Sequence, residues 1–189
     1  MIKEKNINDY TRVTSILKPF SGVEFVPLCY LEPAADRGTR AHLSIEADIL
    51  GLGHSNDEDI QGYIKSYEKI KNDLNLQQCV GFRTELRMFD DDLMITGQAD
   101  LICEFDNNVI LYDWKTSSRK QKSWNLQLAA YQMMATSLYE GKEITAIAVH
   151  LKKDGKKPSL IRTKFDESII MFLKCLEIYK YFEMNKTRG

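Results

Sequence analysis

The chain has 189 residues, 43% hydrophobic and 28% charged, with a formal net charge of −1. That size and balance suit one soluble globular domain with a real core, and a near-neutral charge does not mark a general polyanion binder. No apolar run is long enough to span a membrane, and the polar start "MIKEKNINDYTR" has no apolar signal core. Cys29, Cys79, Cys103 and Cys175 are far apart, with no C-x-x-C pair. That spacing argues against a zinc ribbon or a disulfide scaffold and fits free thiols in a reducing cytoplasm.

In chain order, "TRVTSILKPF" reads as a short helix ended by Pro19, and Ser21 to Pro33 as an irregular apolar stretch with two prolines. A helix is predicted from about Asp36 to Leu50, with Gly51 and Gly53 as stop signals. "DEDIQGYIKSYEKIKNDL" is a second helix, acidic at its start and basic toward its end, as the helix dipole favours. The period then changes to that of strands in "CVGFRTELRMF", "LMITGQADLICEF" and "NVILYDWKT". "SWNLQLAAYQMMATSLYEG" returns to a helix, with Ser123 as its N-cap and Gly141 beyond its end. Strands "EITAIAVHLKK" and "SLIRTKF" precede a closing amphipathic helix, "DESIIMFLKCLEIYKYFEM". The order predicts an α/β fold: a mixed central sheet flanked by helices, in a single domain over 1–189. Residues 1–75 are mainly helical, 79–165 form the sheet and central helix, and 166–184 form the last helix.

The stretch "GQADLICEFDNNVILYDWKTSSRK" places three charges, Asp100, Asp113 and Lys115, inside two apolar strands. Strands disfavour Asp, and a buried charge is costly unless paired or bound to a metal. With Asn107-Asn108 as the central residues of the turn, Asp106 faces Val109, Asp100 lies opposite Lys115, and Asp113 lies opposite Ile102. All three charges then project from one face. Leu101, Cys103, Phe105, Ile110, Tyr112 and Trp114 line the other as core. Two carboxylates and an ammonium suit a hard divalent cation and a water beside it. On the hairpin alone, a cross-strand ion pair between Asp100 and Lys115 accounts for the pattern equally well.

Three further features converge on the same place. "RGTRAH", Arg37 to His42, sits on the upstream helix, and "QLAAY", Gln127 to Tyr131, sits on the helix after the D-W-K strand. Together with "GQAD" and "DWK" these resemble the motifs of the PD-(D/E)XK nuclease superfamily, in its RecB-like and phage-type exonuclease branch. The resemblance covers roughly residues 37 to 131 and implies a restriction-endonuclease-like core. It implies Mg²⁺- or Mn²⁺-dependent hydrolysis of DNA leaving a 5′-phosphate, by an exonuclease acting on DNA ends in recombination or repair. His42, Asp100, Asp113 and the backbone carbonyl of Trp114 would be metal ligands, one or two ions being held. Lys115 would act on the attacking water, Gln127 would position that water or DNA, and Tyr131 the backbone. For Tyr131, core packing among Leu128, Ala130 and Met134 is the competing reading.

Glu85 is a candidate accessory group, or else an exposed strand residue paired with Arg83 or Arg87. Glu46, one turn beyond His42, would orient it or simply be exposed. Arg37, Arg119 and Lys120 are candidate phosphate contacts. The lysine-rich "KKDGKKP" turn reads by itself as a solvated loop. Some RecB-like nucleases hold an iron–sulfur cluster through one upstream Cys and three close together, a spacing absent here, so no such cluster is expected. DNA is the expected partner, in a bacterial or phage-infected cytoplasm, with a homo-oligomer and a recombination partner protein left open. The other readings are an endonuclease, or a DNA-binding module on the same fold that does not cleave.

Overall fold

The computed structural model describes residues 5–22 and 26–186, with side chains through residue 183. β-branched and aromatic runs form six strands: β1 (Thr11–Arg12), β2 (Gly81–Asp90), β3 (Ile95–Glu104), β4 (Asn108–Lys115), β5 (Glu143–His150) and β6 (Ser159–Arg162). The helices among them are α1 (Val13–Leu17), α2 (Leu28–Ile49), α3 (Gln61–Lys71), α4 (Ser123–Leu138) and α5 (Phe165–Lys186). β2 pairs antiparallel with β3, β3 with β4, and β5 with β6, while β4 and β5 run parallel across the α4 crossover. The sheet is mixed and flanked by helices, as the sequence order predicts.

Both faces are covered. On one, Ile102, Leu111 and Ala148 pack against Leu128 and Met134 of α4 and Phe172 of α5. On the other, Leu101, Tyr112, Trp114 and Val149 pack against Ile45 of α2 and Ile64 and Tyr67 of α3. Tyr67 meets Trp114 edge-on with ring centroids 5.8 Å apart, a favoured aromatic geometry. Cys103 belongs to the second core and Cys175 to the first, so these two thiols lie on opposite sides of the sheet.

Three local expectations are corrected. α2 begins at Leu28 rather than Asp36, with Pro27 at its N-cap and Pro33 inside it. Pro removes one helical hydrogen bond and usually signals a boundary, but in the second turn of a 22-residue helix the remaining ladder carries through. Residues 23–25 of the stretch read as irregular lie outside the described residues. Ser123 is the first residue of α4 rather than its cap. Lys122 holds the cap position without a side-chain bond. The third correction is the hairpin register. Phe105 N–H donates to the Asn108 carbonyl at 2.8 Å, so Asp106 and Asn107 make the turn. Asn108 is drawn into β4 because it pairs with Glu143 of β5. Leu101 then faces Tyr112 and Glu104 faces Val109.

α3 lies close against the β5–β6 connection. A Cβ on Gly62 would come within 1.7 Å of the Lys153 carbonyl oxygen, a backbone atom that cannot swing away. Ala is intrinsically about 1 kcal/mol better than Gly in a helix. Gly62→Ala is nevertheless expected to lower stability, by roughly 1–3 kcal/mol as for overpacked cores, measured as the urea unfolding midpoint.

Candidate active site

β2 occupies one edge of β3 along its whole length. The other edge is shared: Ile95 and Thr96 pair with β1, and Leu101 to Glu104 pair with β4. Between those pairings this second edge of β3 has no strand partner, and β4 diverges from it beyond Tyr112. The opening is a cleft of about 320 Å³ lined by His42, Glu85, Asp100, Asp113, Lys115 and Gln127, with Tyr131 and Arg12 among the rest. The structure thus brings the two Asp, the Lys, the His, the Gln and the Tyr singled out in the sequence to one place.

The register correction changes their neighbours. Continued past Tyr112, the observed register sets Asp100 beside Asp113, not beside Lys115. Because the slip is two residues, side-chain parity survives and the three charges keep a common face. Asp100 is 8% exposed and Asp113 is 5% exposed. Asp100 Oδ2 accepts the Trp114 backbone N–H at 2.5 Å, replacing the ladder bond that β3 no longer supplies. In a strand, one residue's N–H and C=O point to the same side. The Trp114 carbonyl therefore faces the opening as well. Asp100 Oδ1 lies 3.2 Å from His42 Nδ1, which α2 carries over from the opposite layer.

The pleat itself breaks here. Ala99 packs in the core under α4, whereas Leu101, two residues on, packs in the core under α2. Strict alternation would place both on one face. Glu85, the residue that would pair with Asp100, has φ 50° and makes no ladder pair, while Thr84↔Leu101 and Leu86↔Ala99 on either side keep their register. A left-handed conformation is uncommon for a non-glycine residue and marks stored strain at functional positions. Here it turns the Glu85 carboxylate into the cleft, where it accepts from Gln98 Nε2, and Gln98 in turn accepts from Arg87. This bridge through Gln98 replaces the direct pairing of Glu85 with Arg83 or Arg87.

Lys115 Nζ lies 2.5 Å from Asp113 Oδ2 and donates to Gln127 Oε1 at 2.8 Å. Gln127 Nε2 reaches Asp113 Oδ1 at 3.2 Å and the Tyr131 hydroxyl at 2.8 Å. Gln127 and Tyr131 are one α4 turn apart, so a single helix face makes these bonds. Tyr131 serves both readings, its ring in the core and its hydroxyl in the network. Gly97 makes room for it: a Cβ there would meet the Tyr131 ring at 2.4 Å. The Lys115 approach to Asp113 Oδ2 is a close ion pair, and this buried oxygen makes no other polar contact among the described residues.

Burial pushes the Asp113 carboxyl upward; Lys115 opposes the rise and Asp100 adds to it. Burial likewise raises Glu85, with Asp100 adding. Burial alone would lower His42, but Asp100, with Asp113 behind it, outweighs that and leaves it raised. Burial raises the Tyr131 hydroxyl, which stays neutral.

One imidazole, two carboxylates and a backbone carbonyl are a donor set suited to Mg²⁺ or Mn²⁺. Asp113 Oδ2, whose polar neighbour is the Lys115 ammonium, keeps lone-pair capacity for such an ion. Asp100, by contrast, is closed by His42 and Trp114. Among the described residues no three His, Cys, Asp or Glu side chains converge as a ready ligand group.

Sequence reasoning missed Arg12, Thr14, Arg87 and Gln98, all lining the cleft. Gln98 stands within the GQAD motif itself. Arg12 is placed by a two-residue parallel pairing that no periodicity reveals. Glu46 is half-buried, and its bond to His42 is not seen among the described residues, the His42 Nδ1 contact being Asp100. Arg37 lies on α2, its Nε buried without a partner, beside Gly38, whose added Cβ would come 2.9 Å from Thr116 Oγ1. Arg119 and Lys120 are exposed on the β4–α4 connection, outside the cleft.

The raised Glu85 carboxyl has a consequence for stability. The unfolded chain loses this proton at a lower pH than the folded one, so ionised Glu85 costs stability that grows as pH rises through its folded pKa. In chelator, Glu85→Gln is expected to show a higher urea midpoint than wild type at pH 8. The difference should shrink toward zero at pH 4, and an unchanged midpoint at both values would contradict the assignment.

The sequence profile of the PD-(D/E)XK nuclease superfamily matches residues 57–174, well over half of the chain. The match includes Asp100, Asp113, Lys115, Gln127 and Tyr131 and leaves His42 outside. No curated protein matches the chain. Among solved structures, a candidate exonuclease from Eubacterium rectale aligns at TM-score 0.53 and 12% identity, over 89% of this chain and 82% of that one. At that identity the likeness is one of fold. An alkaline exonuclease from Laribacter hongkongensis aligns at TM-score 0.36 and 12% identity over 95% and 94% of the two chains, too distant to carry an argument. With the mixed sheet and the matched residues in hand, the chain belongs to the PD-(D/E)XK nuclease superfamily.

Proposed function

We propose that this chain is a Mg²⁺- or Mn²⁺-dependent DNA exonuclease, working on DNA ends in recombination or repair, in a phage or prophage setting. The observation that carries the reading is the buried Asp113–Lys115 ion pair in an open cleft that also gathers Asp100 and His42. Two buried carboxylates beside one ammonium carry excess negative charge, which a divalent cation would offset. His42, Asp100, Asp113 and the Trp114 carbonyl would hold that ion. Such an ion, when bound, polarises a phosphate and makes water a better nucleophile.

The side chains then divide the work. Lys115 Nζ, fixed between Asp113 and Gln127, presents an ammonium to the attacking water and to charge growing on the phosphate oxygens. Gln127 holds the ammonium and the Asp113 carboxylate in register, and the Tyr131 hydroxyl fixes the amide that does so. Water adds to phosphorus and releases a proton to solvent, the bond to the 3′ oxygen breaks, that oxygen takes up a proton from solvent, and the phosphate stays on the 5′ end. Glu85 lies in the same cleft as an accessory acid, and Arg37, Arg119 and Lys120 contact phosphates. The preference for DNA ends rests on the likeness to the RecB-like and phage-type branch, a fold-level argument.

End-labelled linear DNA and a closed circle of the same sequence, incubated with Mg²⁺, Mn²⁺ or chelator, test this. Linear DNA alone should be degraded, only with metal, and Lys115→Ala should slow it by roughly 10²–10³-fold, the scale of a lost contact to developing negative charge. Cutting of the circle would make the protein an endonuclease, and no cutting with any metal would remove the catalytic reading. Separately, divalent ion at 100 times its Kd should stabilise wild type by about 2.7 kcal/mol through linkage. Asp113→Asn should lose most of that gain in a thermal melt.

A further inference from the structure

The strands that carry Lys115 and His150 are parallel neighbours, with these two residues in register. The connections that follow them, residues 116–122 and 151–158, therefore leave the same edge of the sheet side by side. Residues 116–122 hold three cations and no carboxylate, and residues 151–158 hold four cations and one carboxylate, in a chain whose net charge is −1.

The two connections are fastened together. His150 Nε2–H donates to the Ser117 carbonyl at 2.7 Å, and Lys152 Nζ donates to His150 Nδ1 at 3.0 Å. A carbonyl only accepts and an ammonium only donates, so the imidazole is neutral with its proton on Nε2. α3 pins both from below. The Tyr63 hydroxyl donates to the Thr116 carbonyl at 3.1 Å, and Ser66 Oγ donates to the Lys156 carbonyl at 2.7 Å while accepting from Lys152 N at 3.0 Å. Gly62, lacking a Cβ, lets the helix touch Lys153.

The cations on this support are largely unneutralised. Lys156 pairs with Asp154 at 2.7 Å, and Lys157 lies 3.8 Å from Asp73. Among the described residues, no carboxylate pairs with Arg119, Lys120, Lys122, Lys152 or Lys153. Between the connections runs a groove of about 310 Å³ whose lining includes Ser117, Ser118, His150, Lys152 and Lys153 and one carboxylate, Asp154, which pairs with Lys156. A merely solvated loop needs no such fastening. Cations held together without counter-charges repel one another, and a bound polyanion offsets that repulsion. Lys152 follows two residues after His150, which stands level with Lys115, just beyond the end of β5.

We propose that these two connections form one preorganised phosphate-contact platform that takes the DNA backbone beside the cleft, with Lys152 and Lys153 acting together with Arg119 and Lys120. The identity of the polyanion rests on the nuclease reading, and the platform itself does not depend on cleavage.

The test is binding of a fluorescent single-stranded DNA in chelator across a salt series, so that nothing is cut. Lys152→Gln/Lys153→Gln and Arg119→Gln/Lys120→Gln should each weaken binding and flatten the plot of log K against log[salt] by about 1.4, which is ~0.7 for each phosphate no longer neutralised. Lys164→Gln/Lys174→Gln, the same charge change elsewhere on the surface, should leave the slope unchanged. The second double variant touches none of the fastening bonds, so a folding defect in the first would not hide the answer. A wild-type slope in the Lys152/Lys153 pair, or an equal loss in the Lys164/Lys174 pair, overturns the platform. If the slopes fall as expected while metal-loaded wild type cuts no DNA, the cleavage reading fails and the platform stands. If wild type cuts DNA while all slopes agree, the platform alone fails.

Discussion

Past Tyr112, β4 stops pairing with β3, and the Trp114 amide donates its hydrogen bond to the Asp100 carboxylate instead. Almost everything else in the site depends on that exchange. A strand cannot leave its neighbour inside a protein without finding new partners for its backbone groups. Asp100 supplies one, and β5 holds the other edge of β4 up to Lys115. The divergence leaves room for charged side chains at the centre of a sheet whose two faces are otherwise sealed by apolar packing.

The charges placed in that opening are expensive. Asp113 is almost wholly buried, and one ammonium only partly offsets the loss of water around it. Gln127 shares its amide among Lys115, Asp113 and Tyr131, which links the ion pair to α4. A network of buried charges is a poor way to stabilise a fold, since apolar side chains of similar volume would do better. It is a good way to hold an ammonium and a carboxylate at fixed separation for chemistry. The left-handed backbone at Glu85 belongs to the same pattern, with local strain maintained by regular pairing on both sides.

The site also draws on both layers of the molecule. His42 arrives on α2, held by a core that includes Trp114 and Tyr67, while Gln127 and Tyr131 arrive on α4 from the other core. Tyr131 fits only because residue 97 is glycine. Neither helix touches Asp100 and Asp113 in a useful way until it has docked. The geometry of the cleft is thus a product of the whole packing rather than of one motif.

The sequence by itself determined the strand and helix order, the two apolar faces, and the six polar residues that meet in the cleft. Period-2 and helical spacing write burial directly into residue types, and the motif residues are few and ordered. The superfamily was legible from D-x-K together with the His and Gln-x-x-x-Tyr segments. The early start of α2, the true hairpin turn, the break in alternation at Glu85 and Asp100, and the arrival of Arg12 were decided only by the tertiary structure. Each of these rests on a partner distant in sequence. Asn108 joins β4 because Glu143 of β5 pairs with it, overriding the local preference of Asn-Asn for a turn. Thr11 and Arg12 are a strand only because Ile95 and Thr96 lie beside them. Local sequence encodes which face of an element seeks burial, whereas register and strand divergence are settled by which distant backbone groups must find each other once water is excluded.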